Sequence, residues 1–176
     1  MIERLTRPVD VNEIEAIMRE KDVWENVTDD GSNTLNLSHL TAIIGIHSFY
    51  FLVPVIQGVR VGAFFLHPHN YVTYELHSMV KKENRGRLVR EGLMEVGEFM
   101  FNSTPCQKII TLVPAGNYRA KFMARFMGME YEGVNRKSLL RNGKLIDQHM
   151  YGACKCDFDA IKNKVKGRKK LCQRHQ

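Results

Sequence analysis

The chain predicts an α/β fold in which a mixed, mostly antiparallel central sheet is flanked by helices, and three patterns carry that prediction. A strand, a turn and a helix follow one another twice, over residues 71–101 and again over 107–127. That repeat sets two neighbouring strands side by side with both helix starts at the same end, where ligands bind in open α/β sheets. β-branched and aromatic runs at 48–56 and 59–67 meet at Gln57-Gly58, which reads as a hairpin with a tight turn. A second hairpin closes the sequence, 129–140 with 146–154 about the turn Arg141-Asn-Gly-Lys144.

The remaining elements follow from periodicity and punctuation. Residues 2–5 make a first short strand, and Pro8 and Asp10 mark a turn with Asp10 as a helix cap. Val11, Ile14, Ile17 and Met18 then recur at helical spacing up to Lys21. Asp29-Asp-Gly-Ser-Asn33 is a loop, and the mixed apolar pattern at 35–44 fits a helix or a turn segment. Residues 71–79 pair as the next antiparallel strand after a His-Pro-His-Asn loop. The helix at 89–101 turns Leu93, Val96, Phe99 and Met100, with Leu88 just before it, toward the sheet. Gly92 and Gly97 weaken that helix by about 1 kcal/mol each relative to Ala, unless close packing on the sheet needs them. Residues 107–113 form a buried strand, 114–117 a turn, and a helix from Tyr118 closes at Gly128.

Composition bounds the possibilities. At 176 residues the chain is long enough to bury a core without metal or disulfide help. Residues 1–156 are expected to form one domain and 157–176 a basic C-terminal tail. An apolar fraction of 44% with mixed charge excludes a disordered chain. No run of about eighteen apolar residues occurs, and Met1-Ile-Glu-Arg lacks a signal-peptide pattern, so a soluble cytoplasmic protein with no membrane partner is expected. Lys162, Lys164, Lys166, Arg168, Lys169, Lys170 and Arg174 equal the whole net charge of +7. Such a tail reads either as a solvated terminus or as a salt-sensitive contact for nucleic acid.

Cys106, Cys154, Cys156 and Cys172 lack the spacing of a zinc pair or a redox motif and read as reduced thiols, with Cys154 and Cys156 on one strand face. Pro68 between His67 and His69 indicates a loop, so no metal site is assigned there. Met79, Met94, Met100, Met123, Met127 and Met129 read as core gap-fillers.

Chemistry concentrates in the turn Lys81-Lys-Glu-Asn-Arg-Gly-Arg-Leu88, which runs from a β-rich segment straight into a helix. Free N–H groups at a helix start, with the positive end of its dipole, hold phosphate well. Arg85 and Arg87 add charge at the same place. By alternation Glu75, His77 and Met79 of the preceding strand share one face. Either Glu75 or His77 is a base for an ammonium in a dry site, His77 having the better ordinary pKa for neutral pH.

Glu83-Asn-Arg-Gly-Arg-Leu88 resembles the pyrophosphate loop of the GNAT superfamily of acetyl-CoA-dependent N-acyltransferases, with Glu83 and Leu88 departing from its pattern. Asn117, Ala120, Gly128 and Met129 match that superfamily's Asn-x-x-Ala and Gly-Phe pattern. Glu132-Gly133, Arg136, Asn142-Gly143, Asp147 and Tyr151-Gly152 resemble the closing hairpin of ribosomal-protein N-terminal acetyltransferases. The resemblance is fullest to GNAT-like proteins encoded by tailed bacteriophages, through Glu75-x-His77, Val113-Pro-Ala-Gly-Asn117 and Val23-Trp24 before Asp29-Asp30. It implies acetyl-CoA as co-substrate and an amine acceptor: a protein N-terminus, a lysine or a small amine. The backbone of Arg85, Gly86, Arg87 and Leu88 would hold the phosphates, Met79 and Val80 the thioester carbonyl, and Asn117 with Ala120 the pantetheine arm. Ala124 stands where many relatives carry a Tyr that protonates the leaving thiolate. Some phage relatives are virion or head-assembly proteins, so the resemblance also implies a non-catalytic reading, with virion proteins or nucleic acid as partners of the tail. The location would then be the host cytoplasm or the virion.

Overall fold

The computed structural model describes residues 1–5, 11–27, 29–31 and 37–173. Its strands are β1 (Ile2–Leu5), β2 (Tyr50–Ile56), β3 (Val59–Arg60), β4 (Ala63–Pro68), β5 (Thr73–Met79), β6 (Lys108–Pro114), β7 (Glu130–Arg141) and β8 (Lys144–Cys154). Its helices are α1 (Val11–Met18), α2 (Lys21–Val27), α3 (Leu37–Ile44), α4 (Arg87–Ser103), α5 (Tyr118–Phe126) and α6 (Lys155–Gln173). The sheet order is β1-β2-β4-β5-β6-β8-β7, with β3 on β2 alone. Among the described residues only β5 and β6 pair in parallel, as the repeated strand-turn-helix pattern requires.

Alternation along the strands sorts their side chains into two cores. Tyr50, Leu52, Ile56, Phe64, Leu66, Tyr74, Leu76 and Val80 pack with α4, α5 and α6. Phe51, Val53, Ala63 and Met79 pack instead with Val11, Ile14 and Ile17 of α1, Val23 of α2 and Ile44 of α3. Strands covered on both faces read as near-continuous apolar runs, as Tyr50–Ile56 does.

Both predicted hairpins form, with positive φ at Gln57, Gly58, Asn142 and Gly143, the conformation that two-residue turns need to match strand twist. The run at 59–67 is interrupted at Val61-Gly62, where the Val61 N–H still bonds to the Pro54 carbonyl of β2. The helix expected up to Lys21 ends at Met18, and a further helix follows it: Val23 and Trp24 donate to the Glu20 carbonyl and start α2. The segment at 35–44 yields helix α3. The turn expected at 8–10 and part of the 29–33 loop lie outside the described residues.

The C-terminal segment needs correction in one respect. Cys154 and Cys156 do not share a strand, since β8 ends at Cys154 and Cys156 lies in α6. Asp157 accepts the Cys154 N–H at 2.9 Å, the reach-back bond that starts a helix. The boundary expected after residue 156 therefore falls inside α6, whose Phe158 is 2% exposed in the main core. Lys162, one of the basic residues of the expected tail, pairs with Glu98 of α4.

The two α4 glycines are explained by packing. A Cβ on Gly92 would touch Pro54 and Val61 of the sheet side, while one on Gly97 would lie 2.4 Å from the Phe158 ring. Gly97 thus answers to α6 rather than to the sheet.

Phe158→Ala should destabilise the fold by about 3–5 kcal/mol, measured by urea denaturation; a loss below 1 kcal/mol would show that α6 is not part of the cooperative unit. Burial pushes the Cys106 thiol up to about 12 from its ordinary value of 9.0. A raised acid favours the folded state while protonated, so Cys106 contributes stability that is complete below pH 9 and lost as pH rises toward 12. Iodoacetamide at pH 8 should therefore label the exposed Cys154 and Cys156 of native protein and spare Cys106, as peptide mapping would reveal.

Candidate functional site

The parallel pair at the sheet centre holds together over three positions only, Thr73 with Lys108, Tyr74 with Ile109 and Glu75 with Ile110. Beyond them β5 and β6 part, and β6 continues in register with β8 alone as far as Pro114. At the fork the Thr111 hydroxyl donates to the Leu76 carbonyl at 3.1 Å. A cavity of about 620 Å³ opens there, with Leu76, Ser78, Val80, Thr111 and Val113 from the two strands in its wall. Val89 and Leu93 of α4 and Ala120, Met123 and Ala124 of α5 close it on one side, and Val23 of α2 reaches it from the other. The gap thus joins the two faces of the sheet. Its charged lining residues among those described are Arg85, Arg90 and Arg119, with no acid.

The mouth is built by the turn before α4. Lys82–Asn84 make a single 3-10 turn, tied to the sheet because the Asn84 amide donates to the carbonyls of Arg60 and Val61 at 3.1 and 3.0 Å. Gly86 caps α4 with φ 91° and ψ −121°, backbone angles that cost an L side chain about 1–3 kcal/mol. The first N–H groups of α4 have no intrahelical acceptor, and they start beside Gly86, which lines the cavity.

Sequence-expected residues divide over this geometry. Val80, Arg85, Gly86, Asn117 and Ala120 line the cavity. The Arg85 N–H, however, is given to the Lys82 carbonyl, which moves the available donors one residue along the loop. The Arg85 side chain reaches the Val80 carbonyl at 3.4 Å. Arg87 turns away, donating to the Gln57 side chain at 2.9 Å, and Leu88 packs against the main core. Met79 is buried in the other core. Asn117 caps α5 by accepting the Ala120 N–H at 3.1 Å, so its side-chain oxygen is committed to shaping the helix start.

Glu75 and His77 do not line the cavity. They project to the face that carries α1, α2 and α3, flanking the gap: Glu75 is the last residue of β5 paired with β6, and His77 follows the fork. Glu75 Oε2 lies 2.7 Å from His69 Nε2, and Glu75 Oε1 3.5 Å from His77 Nε2. Loss of water holds the His77 imidazole below its ordinary value; His67 and His69 push the same way and Glu75 opposes them. A neutral imidazole keeps a lone pair for a proton. On the same side Asp30 accepts the N–H groups of Asn142 and Gly143 at 2.8 and 2.7 Å, pinning the tip of the closing hairpin beside the loop that follows α2.

No family model matches the chain, and no curated protein sequence does. Solved structures match closely in shape. Spermidine N-acetyltransferase from Vibrio cholerae, in complex with CoA and spermine, superposes with a TM-score of 0.75 at 17% identity, over 90% of this chain and 96% of that one. The chain has the GNAT fold. Ribosomal-protein-alanine N-acetyltransferase from Brucella melitensis superposes with a TM-score of 0.65 at 20% identity, over 88% and 99% of the two chains. A probable acetyltransferase gives 0.68 at 16%, over 88% and 92%.

Several lining residues escape a reading of the sequence. Arg90 sits one turn into α4, where its guanidinium bonds to the Gly86 carbonyl at 3.2 Å and lies over the Phe126 ring at 5.3 Å. Its spacing from Gly86, four residues on a helix, was the available signal. Val23 and Thr111 carried none, because only the parting of the strands brings them to the cavity. Three of the methionines expected as core fillers, Met123, Met127 and Met129, also line it.

Asn117→Ala should cost about 1 kcal/mol of stability through the lost helix cap, read as a lowered denaturation midpoint. Asn117→Asp keeps an acceptor at the cap and should restore most of it; equal losses in both variants would exclude capping as the reason for Asn117.

Proposed function

We propose that the protein transfers an acetyl group from acetyl-CoA to a primary amine. One observation carries the reading: an apolar cavity runs through the parted strands and opens at the start of α4, where every charged lining residue described is an arginine. A ligand suited to it has a polyanionic head and a long, weakly polar arm. The likeness in fold to N-acetyltransferases supports the same assignment.

In this reading the early N–H groups of α4 from Gly86 onward, with Arg85 and Arg90, hold the pyrophosphate. The arm lies along Val80 and the gap, between β5 and the start of α5 at Asn117 and Ala120. Acetyl-CoA supplies an activated thioester. The acceptor comes from the α2 side, past Val23 and the hairpin tip held by Asp30, and its ammonium gives up a proton to Glu75 or His77, directly or through water. Ala124 offers no hydroxyl to the leaving thiolate, and the hydroxyl-bearing residues that line the cavity are Ser78, Thr111 and Tyr118. A thiolate needs little such help, because an ordinary thiol is already partly ionised near neutral pH. The acceptor class stays at a protein N-terminus, a lysine or a small amine; the spermine complex belongs to the Vibrio cholerae enzyme.

Acetyl-CoA at a hundred times its dissociation constant should stabilise the fold by about 2.7 kcal/mol, visible as a thermal shift; no shift at millimolar coenzyme would sink the reading. Gly86→Ala should weaken coenzyme binding about tenfold or more, as the strain on the loop implies. Against an identified amine, Glu75→Gln and His77→Ala separate the two candidate bases. Loss of the base should lower kcat by about 10²–10⁴ with coenzyme binding intact, and full activity in both variants would remove both residues from the mechanism.

A further inference from the structure

The face of the sheet opposite α4 holds a cluster of which acetyl transfer, as proposed above, uses one member, Glu75 or His77, as base. An ion held by both would occupy that base, so metal binding and acyl transfer compete for it. His67 and Glu75 stand directly opposite each other across the β4–β5 pair, and His77 stands opposite Phe65 on the same face. One ligand atom each from His67, Glu75 and His77 falls within 4.8 Å of the others. His67 Nε2 is 3.1 Å from His77 Nε2. Glu75 Oε1 is 3.5 Å from His77 Nε2, and Oε2 is 3.8 Å from His67 Nε2. We propose that His67, Glu75 and His77 bind a divalent transition-metal ion of the Zn²⁺ type, with His69 as the residue that positions the Glu75 carboxylate.

The spacing fits the ion. Ligands at ~2.0–2.1 Å in a tetrahedron stand ~3.3 Å from one another. The His67–His77 and Glu75–His77 distances of 3.1 and 3.5 Å lie either side of that edge, and the Glu75–His67 distance of 3.8 Å is longer, so the Glu75 carboxylate would have to turn toward the ion. Two imidazoles and one carboxylate suit Zn²⁺ and its neighbours rather than Mg²⁺ or Ca²⁺, which take oxygen ligands. They leave a fourth position for water.

The support around the ligands is that of a preorganised site. His69 Nε2 bonds to Glu75 Oε2 at 2.7 Å, which leaves Oε1, 3.5 Å from His77 Nε2, as the oxygen free for an ion. The hairpin loop is set by Asn70, whose side chain accepts the N–H groups of Val72 and Thr73 at 3.0 and 2.9 Å. The imidazoles rest on an aromatic row: Phe65 stacks on His77 at 5.8 Å and Phe49 on His67 at 6.4 Å. Glu75 is 7% exposed, while the three histidines keep contact with solvent, which gives an ion a way in.

The test is a titration of metal-stripped full-length protein with Co²⁺, followed by visible absorption, and with Zn²⁺ by calorimetry. One equivalent should bind, giving the bands of Co²⁺ with nitrogen and oxygen ligands. His67→Ala and His77→Ala, each checked for folding by circular dichroism, should abolish binding, and His69→Ala should weaken it about tenfold. A thiolate charge-transfer band in the wild-type Co²⁺ spectrum would place the ion on cysteine and overturn the proposal. So would wild-type affinity in His67→Ala, or no binding by the wild type at about 1 mM metal. These outcomes do not depend on acetyl-CoA, whose thermal shift on the same sample reports separately on acyl transfer.

Discussion

Strand β5 has to serve two cores and a cavity within seven residues, and its register settles what each side chain can do. Tyr74 and Leu76 belong to the core under α4, with Val80 following in phase just past the strand, while Met79 belongs to the core under α1 to α3. Because side chains alternate strictly, Glu75 and His77 must then face α1 to α3. A one-residue slip would bury a carboxylate under α4 and turn Leu76 toward the histidines. The polar groups are therefore held by the apolar ones, and the distances among His67, His69, Glu75 and His77 follow from the pairing of β4 with β5.

Much of the fold was legible because its turns are chemically marked. Gln57-Gly58 and Asn142-Gly143 take positive φ, and Gly86 sits in a conformation reserved for glycine; residues of that kind announce themselves in a sequence. The start of α5 was equally plain, since Asn117 is a good cap. What stayed hidden depends on contacts between distant segments. The start of α2 rests on the Glu20 carbonyl turning the chain back into a helix, with no Gly or Pro to mark it. The end of β8 turns on Asp157 reaching back to Cys154, a spacing with a signal that the apolar pattern outweighed. His67 was read beside His69, its neighbour in sequence, when its closest polar partner is His77, on the next strand.

The residues of the candidate site were legible in the sequence and their geometry was not, for one reason. A motif names the residues of a loop but not the direction of their side chains or the use of their N–H groups. Arg85 and Arg87 look equivalent in the sequence, yet one lines the cavity and the other reaches Gln57. Arg90 and Arg119 join the charged rim from two different helices. The positive charge of the cavity lining is thus a property of three segments that meet, and no one of them carries it alone.

The fork between β5 and β6 has a mechanical side. Three paired positions, with the Thr111 hydroxyl on the Leu76 carbonyl and the Gln107 N–H on the Val72 carbonyl, make the short hydrogen-bonded join between one half-sheet, β1 to β5, and the other, β6 to β8. Above the join, main-chain groups of two central strands face each other across a space too wide for them to meet. A molecule with alternating donors and acceptors along its length can bond to both edges, much as an added strand would. Filling the gap would then add main-chain bonds between two halves that the core under α4 already holds together, with α5 and the closing hairpin on one half and the histidines on the other.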